Sequence, residues 1–506
     1  MNQISPLVTL YKKVTRRDNL YLILIIGVAL FLRLWDIGWN GFNGDESIYS
    51  GQAASMLGVK EFSDQFSIFR AHPLLLQSLV SIVFATFGIY DTVARIVPVI
   101  FGTLTVFVTY LVAKELFDKR IGLISCTVVA LLPFHIVFSR QVLVDVPLSF
   151  FVILFLYFIV KYRYTELSMY SYLTGVSCGL SFISKEVGII TVAIFLVYTF
   201  ITRTLKLKKF IVFLSGLLSA IFPYFFLILT RQDAWNAFYN YGQFQLSKEV
   251  TTLFSLRYSS TLVNEALGYV LAILCVVSFI LIWKDSRYMK SKKYRDGIIL
   301  LALTLGSLFL FYELLPSKGD RFLITVLPPA VILGCSFLIL NSIRSLRVYG
   351  LLCLVIVPLI IFSNNFFLSK AFPLDDLRIS DNLGNPWDRE VALWIKNNTP
   401  RDADVLTPDG KLANIIRFYS AHQVYTIENS QNPAYLNVNH VLLTLNNNVT
   451  IIVEDLDDSN TSKSLITEMR KYIEFFNPKL VHTVFKHNSG ERNDTDTPII
   501  KVYQMK

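Results

Sequence analysis

Cysteine is scarce in this chain: five in 506 residues, Cys126, Cys178, Cys275, Cys335 and Cys353, all inside apolar stretches. That placement gives no disulfide framework and no metal-ligand spacing, so they read as packing residues. A leader cleavage site is also lacking. The first apolar run, residues 20–35, ends at Leu34-Trp35 as at an interfacial anchor, with no small-residue motif after it, and is read as a retained helix. No internal repeat is evident, which argues against an architecture of duplicated halves. A concentrated basic patch is missing too. The net charge is +10, but most Lys and Arg sit in short loops between apolar runs, where they orient helices, so no nucleic acid is expected as a partner.

Apolar residue is abundant. A 53% apolar share and a mean hydropathy of +0.51 are too high for a soluble chain. The chain reads as a polytopic α-helical membrane protein, expected in the plasma membrane. Lys12, Lys13, Arg16 and Arg17 precede the first run and place residues 1–19 in the cytoplasm. Further spans read at 91–112, 120–138, 147–160, 170–184, 187–202, 208–230, 263–283, 297–315, 321–341 and 347–365. Every second connection is then basic: Lys114 to Arg120, Lys161 with Arg163, Arg203 to Lys209, Lys284 to Arg295, and Arg344 with Arg347 are all expected in the cytoplasm. Pro73 to Gly88 is apolar enough to span, yet counting it would invert every later loop. It reads as a half-buried or re-entrant helix of a large first outer loop, 36–90; the alternative is that it spans and one of the segments at 170–202 does not. The expected count is about 11 to 13 transmembrane helices over residues 20–370.

From Ala371 the apolar runs shorten and Asn and Asp become frequent, so residues 371–506 read as an extracytoplasmic domain of mixed α/β structure. Trp387 to Asn397 and Leu465 to Phe476 have helical spacing, and Asp402 to Leu406, Val424 to Ile427 and Ile499 to Tyr503 read as strands. Sequons at Asn397, Asn448, Asn460 and Asn493 accord with an outward face.

Hydropathy does not explain a group of polar residues at the outer boundary. Gly44-Asp45-Glu46 puts two carboxylates just after the first span. Ser139-Arg140 through Asp145-Val146-Pro147 closes one span and opens the next, and ionisable residues at a helix mouth are site candidates by default. The bland readings are a solvated interfacial loop for Asp45 and Glu46, and an Arg140 to Asp145 ion pair that staples two helices. Arg70 and His72 lie in the first outer loop, Lys185-Glu186 marks an outer turn, and Lys318 and Arg321 flank another. Each cation taken alone fits a snorkelling anchor. Together, carboxylates and cations on one face fit transfer of a sugar from a lipid phosphate. A carboxylate takes the acceptor's proton, and Lys or Arg stabilises the charge growing on the departing phosphate.

The chain resembles the polytopic glycosyltransferases of the GT-C fold, specifically those similar to protein O-mannosyltransferases and the lipid A aminoarabinose transferase. The resemblance rests on Gly44-Asp45-Glu46, His72-Pro73-Leu74, Ala94-Arg95-Ile96-Val97-Pro98, Ser139-Arg140 through Asp145-Val146-Pro147, and Arg321-Phe322-Leu323 with Pro328-Pro329, and covers most of residues 15–365. It implies a polyprenyl or dolichyl phosphate-linked monosaccharide donor, inversion at the anomeric carbon, and an extracytoplasmic protein, lipid or glycan acceptor. It also implies Asp45 as the catalytic base or beside it, Glu46 orienting acceptor or donor, and Asp145 as the second outer-loop carboxylate. Lys318 and Arg321 match the cations that grip the lipid phosphate, while Arg140, Lys185, Arg70 and His72 are placed by position. The C-terminal part lacks the β-trefoil signature of the eukaryotic protein O-mannosyltransferases, so no protein acceptor follows by that route. Some relatives bind a divalent ion; here His72 and the carboxylates make a sparse ligand set, so a divalent cation is the one cofactor considered and no metal ligand is assigned. The competing classes are a transporter or flippase of polyprenyl-linked sugars, and a noncatalytic scaffold of an envelope glycosylation complex.

Overall fold

The computed structural model describes residues 6–38, 40–70, 72–247, 257–315, 319–339, 355, 357–360, 384, 386–408, 410–426, 449–455, 470–471, 473–474, 478–486 and 497–505. Lys318, most of the expected span at 347–365, most of Leu465 to Phe476, and the sequons at Asn448, Asn460 and Asn493 lie outside the described residues. The chain divides into two compact units: residues 1–35, 69–75 and 98–372 form one, and residues 36–68, 76–97 and 373–506 the other.

The first unit is helical. Helix α1 (Pro6–Leu34) carries the first apolar run. Four described helices are long and apolar enough to cross a membrane: α4 (Asp91–Leu116), whose N-terminal residues fall in the second unit, α7 (Asp145–Thr165), α10 (Leu207–Thr230) and α13 (Lys292–Leu314). A bent pair, α11 (Ser259–Ala266) with α12 (Tyr269–Lys284), adds a fifth if counted as one span. Its 114° bend falls at Gly268, whose φ of +75° is open to glycine at little cost. Helix α10 exposes Ile211, Leu218, Phe222, Phe226 and Leu229, an apolar surface suited to lipid rather than water.

Several expected spans are interrupted where proline or an irregular turn intervenes. The run at 120–138 is two helices, α5 (Lys119–Leu131) and α6 (Pro133–Phe138), because Leu132 before Pro133 is held extended at ψ 115°. Asp118 caps α5 by accepting hydrogen bonds from the Arg120 and Ile121 N–H groups. The run at 187–202 starts as a 3-10 turn (Glu186–Ile189) before α9 (Ile190–Ile201), and that at 321–341 as a 3-10 turn (Asp320–Thr325) before α14 (Leu327–Cys335). Helix α8 (Ser168–Ser184) packs on α10 at backbone distance: a Cβ at Gly175 would strike the Phe213 carbonyl, and one at Gly216 the Tyr172 carbonyl. Small residues at such crossings supply the close contact that lipid-embedded helices rely on.

The second unit joins the first outer loop to the C-terminal region, a grouping different from the 20–370 and 371–506 division read from the sequence. It contains α2 (Gly44–Met56) and α3 (Leu75–Phe87). The latter has 13 residues, about 20 Å at helical rise and shorter than the roughly 30 Å hydrocarbon layer. Its five-stranded sheet has the order β2-β1-β3-β5-β4, with β1 (Asp404–Thr407) parallel to β2 (Val424–Thr426) and β3 (Val449–Asp455), and β5 (Thr497–Gln504) antiparallel to β3 and β4 (Lys479–Lys486). Helices α15 (Pro386–Asn398) and α16 (Gly410–Ser420) contribute Val391, Ile395, Leu412 and Ile416 to a core with Val405, Ile451 and Val502.

Candidate active site

In the first unit the structure brings three of the expected residues together. Asp145 stands in the first turn of α7, where the helix dipole favours a carboxylate, and is buried. Its Oδ1 accepts a 2.7 Å hydrogen bond from Lys185 Nζ, and its Oδ2 lies 3.4 Å from Arg321 Nε. Lys185 occupies the extended residue between α8 and the following 3-10 turn, so its side chain leaves the helix register and reaches across to α7. The Phe322 ring lies beneath both cations, 3.7 Å from Lys185 Nζ and 5.8 Å from the Arg321 guanidinium carbon. Two contacts fix the turn bearing Arg321 and Phe322: Ser149 Oγ donates to the Ile324 carbonyl at 3.1 Å, and the Tyr312 and Thr325 hydroxyls are 2.7 Å apart.

Lys185, which is buried, and Arg321, which is partly so, share the Asp145 carboxylate. Burial pushes the Lys185 ammonium below the usual lysine value and the Arg321 charge adds to that, with Asp145 opposing. Next to Lys185 in sequence, Glu186 Oε2 lies 2.9 Å from His72 Nδ1, which ties the outer-loop histidine to the same turn. The Tyr241 ring packs edge-on against that imidazole, 5.4 Å between centroids. Arg140 donates to the Trp35 carbonyl at 2.6 Å, and Arg70 is half-buried in its loop.

Asp45 and Glu46 belong to the second unit and have different surroundings. Asn43 and Glu46 form a reciprocal capping box at the start of α2, with Asn43 Oδ1 accepting from the Glu46 N–H at 2.8 Å and Glu46 Oε2 from the Asn43 N–H at 3.2 Å. Glu46 is fully buried and takes a two-pronged ion pair from Arg95, Nε to Oε1 at 2.9 Å and a terminal N–H to Oε2 at 3.0 Å. Arg95 donates its other hydrogens to the Ile37, Asn40 and Gly41 carbonyls. Its five N–H donors thus hold Glu46 and the loop before it in one geometry. Asp45, one residue earlier in the first turn, is half-exposed. Of the acidic pair, Glu46 is engaged inside the protein while Asp45 keeps access to solvent.

Three residues of this arrangement escaped the sequence reading as partners: Arg95 for Glu46, Glu186 for His72, and Phe322 beneath the cations. Arg95 had a usable signal, an arginine five residues into an apolar helix, where an ionisable group is costly without a partner. Among the described residues no three His, Cys, Asp or Glu side chains converge, so they do not fit a metal ion.

The family model described as dolichyl-phosphate-mannose-protein mannosyltransferase matches residues 71–228. An uncharacterized protein from Aquifex aeolicus (strain VF5) is 26% identical over 168 residues, 32% of this chain, and the match spans 34% of that relative's own length. Among solved structures, the chain is similar to ArnT from Cupriavidus metallidurans bound to undecaprenyl phosphate, with 14% identity, a TM-score of 0.68, and 95% of this chain and 98% of that chain covered. It is also similar to the oligosaccharyltransferase AglB from Archaeoglobus fulgidus in complex with an inhibitory peptide and a dolichol-phosphate, with 13% identity, a TM-score of 0.57, and 95% and 75% covered. These likenesses establish the fold. The chain has the GT-C fold, as the order of its motifs indicates.

Proposed function

We propose that this GT-C fold protein is an integral membrane glycosyltransferase that moves a monosaccharide from a polyprenyl or dolichyl phosphate-linked donor to a protein, lipid or glycan acceptor on the extracytoplasmic face. The observation that carries this reading is the Lys185–Asp145–Arg321 cluster, two cations gathered on one carboxylate, a donor set matched in chemistry to a lipid phosphate. Asp145 holds the two cations apart and in place. Of the three Lys185 ammonium hydrogens one goes to Asp145, and the phosphate is the natural acceptor for the rest. Support of a different kind comes from ArnT and AglB, fold relatives described as bound to undecaprenyl phosphate and dolichol-phosphate.

In the proposed reaction the acceptor hydroxyl oxygen bonds to the anomeric carbon as the bond from that carbon to the phosphate oxygen breaks, giving inversion. The hydroxyl proton passes to the Asp45 carboxylate, and the electron pair leaves with the polyprenyl phosphate. Lys185 and Arg321 offset the charge gained by that phosphate, with His72, held by Glu186, as a further contact. About eleven spans place the N-terminus in the cytoplasm and the C-terminal region outside, with residues 73–88 as a half-buried outer segment.

The test is release of polyprenyl phosphate by purified protein in liposomes supplied with a panel of polyprenyl-phosphate monosaccharides, with acceptor extracts added. Release from at least one donor, with a donor KM raised roughly tenfold or more in Lys185→Met, is expected. A folded protein that binds these donors and releases nothing from any of them would refute the reading.

A further inference from the structure

The loop leading into Asp45 is fastened at successive positions, and two of the fasteners come from the far end of the chain. Arg389 of α15 donates to the Gly38 carbonyl at 2.9 Å. Tyr419 of α16 accepts at its Oη from the Phe42 N–H at 3.0 Å and donates from the same atom to Asp91 Oδ2 at 2.8 Å. Arg389 Nε lies 3.4 Å from that same Asp91 oxygen, and its guanidinium stands over the Tyr419 ring at 5.8 Å. Asp91 begins α4, the helix whose Arg95 holds the Ile37, Asn40 and Gly41 carbonyls and Glu46. The Phe42 ring is fully buried, 4.8 Å from Phe418, and Gly44 abuts Lys411, where an added Cβ would lie 3.3 Å from the Lys411 backbone. The backbone leading into the half-exposed Asp45 is thus held from α4 at residues 37, 40 and 41 and from α15 and α16 at residues 38 and 42.

We infer that Tyr419 and Arg389 are positioning residues for the Asp45 carboxylate, so that the C-terminal region completes the catalytic loop. The inference rests on the proposed role of Asp45 as base. Removing a buried hydroxyl that serves a loop N–H and a helix-start carboxylate at once takes from the Phe42 N–H the acceptor it has in the fold. A base whose loop shifts by a fraction of an ångström loses rate before it loses substrate affinity.

Tyr419→Phe removes both hydrogen bonds and keeps the ring, and Arg389→Lys keeps the charge while losing the fork. Two readouts are needed. The first is amide hydrogen exchange of the full-length protein in nanodiscs, following peptides that cover residues 37–46 against peptides from α8. Tyr419→Phe is expected to speed exchange in residues 37–46 roughly tenfold and leave α8 unchanged. The second is single-turnover release of polyprenyl phosphate from the polyprenyl-phosphate monosaccharide that the wild-type protein uses. The rate is expected to fall roughly tenfold to a hundredfold, with KM for that donor within about twofold. In an Asp45→Asn background the same change is expected to cost less than about twofold, because both act through one carboxylate.

Unchanged exchange in residues 37–46 overturns the inference. So does faster exchange with an undiminished rate, or an equal loss in the Asp45→Asn background, which marks a global effect. Should Tyr419→Phe fail to fold, Arg389→Lys carries the same comparisons. If Asp45→Asn alone retains full activity, the role of Asp45 falls, and the exchange result still decides whether the C-terminal residues fix the loop.

Discussion

A carboxylate taken out of water has to be met by donors, and two of the buried acids, Glu46 and Asp145, meet that demand to different ends. Glu46 accepts from both prongs of Arg95 and from the Asn43 N–H, so it serves the loop. Asp145 instead gathers two cations, Lys185 and Arg321, from separate segments of the chain. Removing one partner of such a pair leaves an uncompensated buried charge, so Arg95→Met is expected to cost about 3–5 kcal/mol. Restoring neutrality with Glu46→Gln in the same chain is expected to recover much of that. Thermal midpoints of the two variants in one detergent check it, and a midpoint unmoved by Arg95→Met contradicts the assignment. At this scale Asp145, Lys185 and Arg321 were legible because ionisable groups at the ends of apolar runs stand out in sequence. Their pairing was not. The sequence offered Arg140 as the staple for Asp145, five residues away, whereas the partners found here come from residues 185 and 321, which only the fold brings near.

At the scale of elements, proline and glycine decide where apolar runs break. The break at Leu132 before Pro133 and the bend at Gly268 were both written in the sequence, yet a hydropathy window averages over a single residue and reads one span. Helix α16 was missed outright, although Leu412, Ala413, Ile415, Ile416 and Tyr419 have helical spacing. Its 11 residues sit in an Asn- and Asp-rich region where strands and turns compete for the reading. The crossing of α8 and α10 carries a prediction of its own. Gly216→Leu pushes a side chain into the Tyr172 carbonyl and is expected to lower stability by about 1–3 kcal/mol or more, while Phe222→Leu on the exposed face of α10 is expected to be nearly neutral. Equal thermal midpoints for both variants would contradict this packing.

For the whole molecule, the order of short motifs was enough to indicate the GT-C fold, which the likeness to ArnT bears out over 95% of the chain. The division into units was harder to read. Composition changes near residue 371, but the outer loop from residue 36 folds with the C-terminal region through Arg389 and Tyr419, and composition carries no record of contacts across more than 300 positions. The sheet was only partly legible for the same reason: β3 and β4 complete it by long-range pairing with β1 and β5. The central claim is that this fold transfers a sugar from a lipid phosphate with Asp45 as base. The most direct measurement is release of free polyprenyl phosphate from a lipid-linked monosaccharide by the purified protein, wild type beside Asp45→Asn, with both shown to be folded. The account predicts release by wild type and a rate roughly a hundredfold or more lower in the variant. Equal release by the two proteins would contradict it.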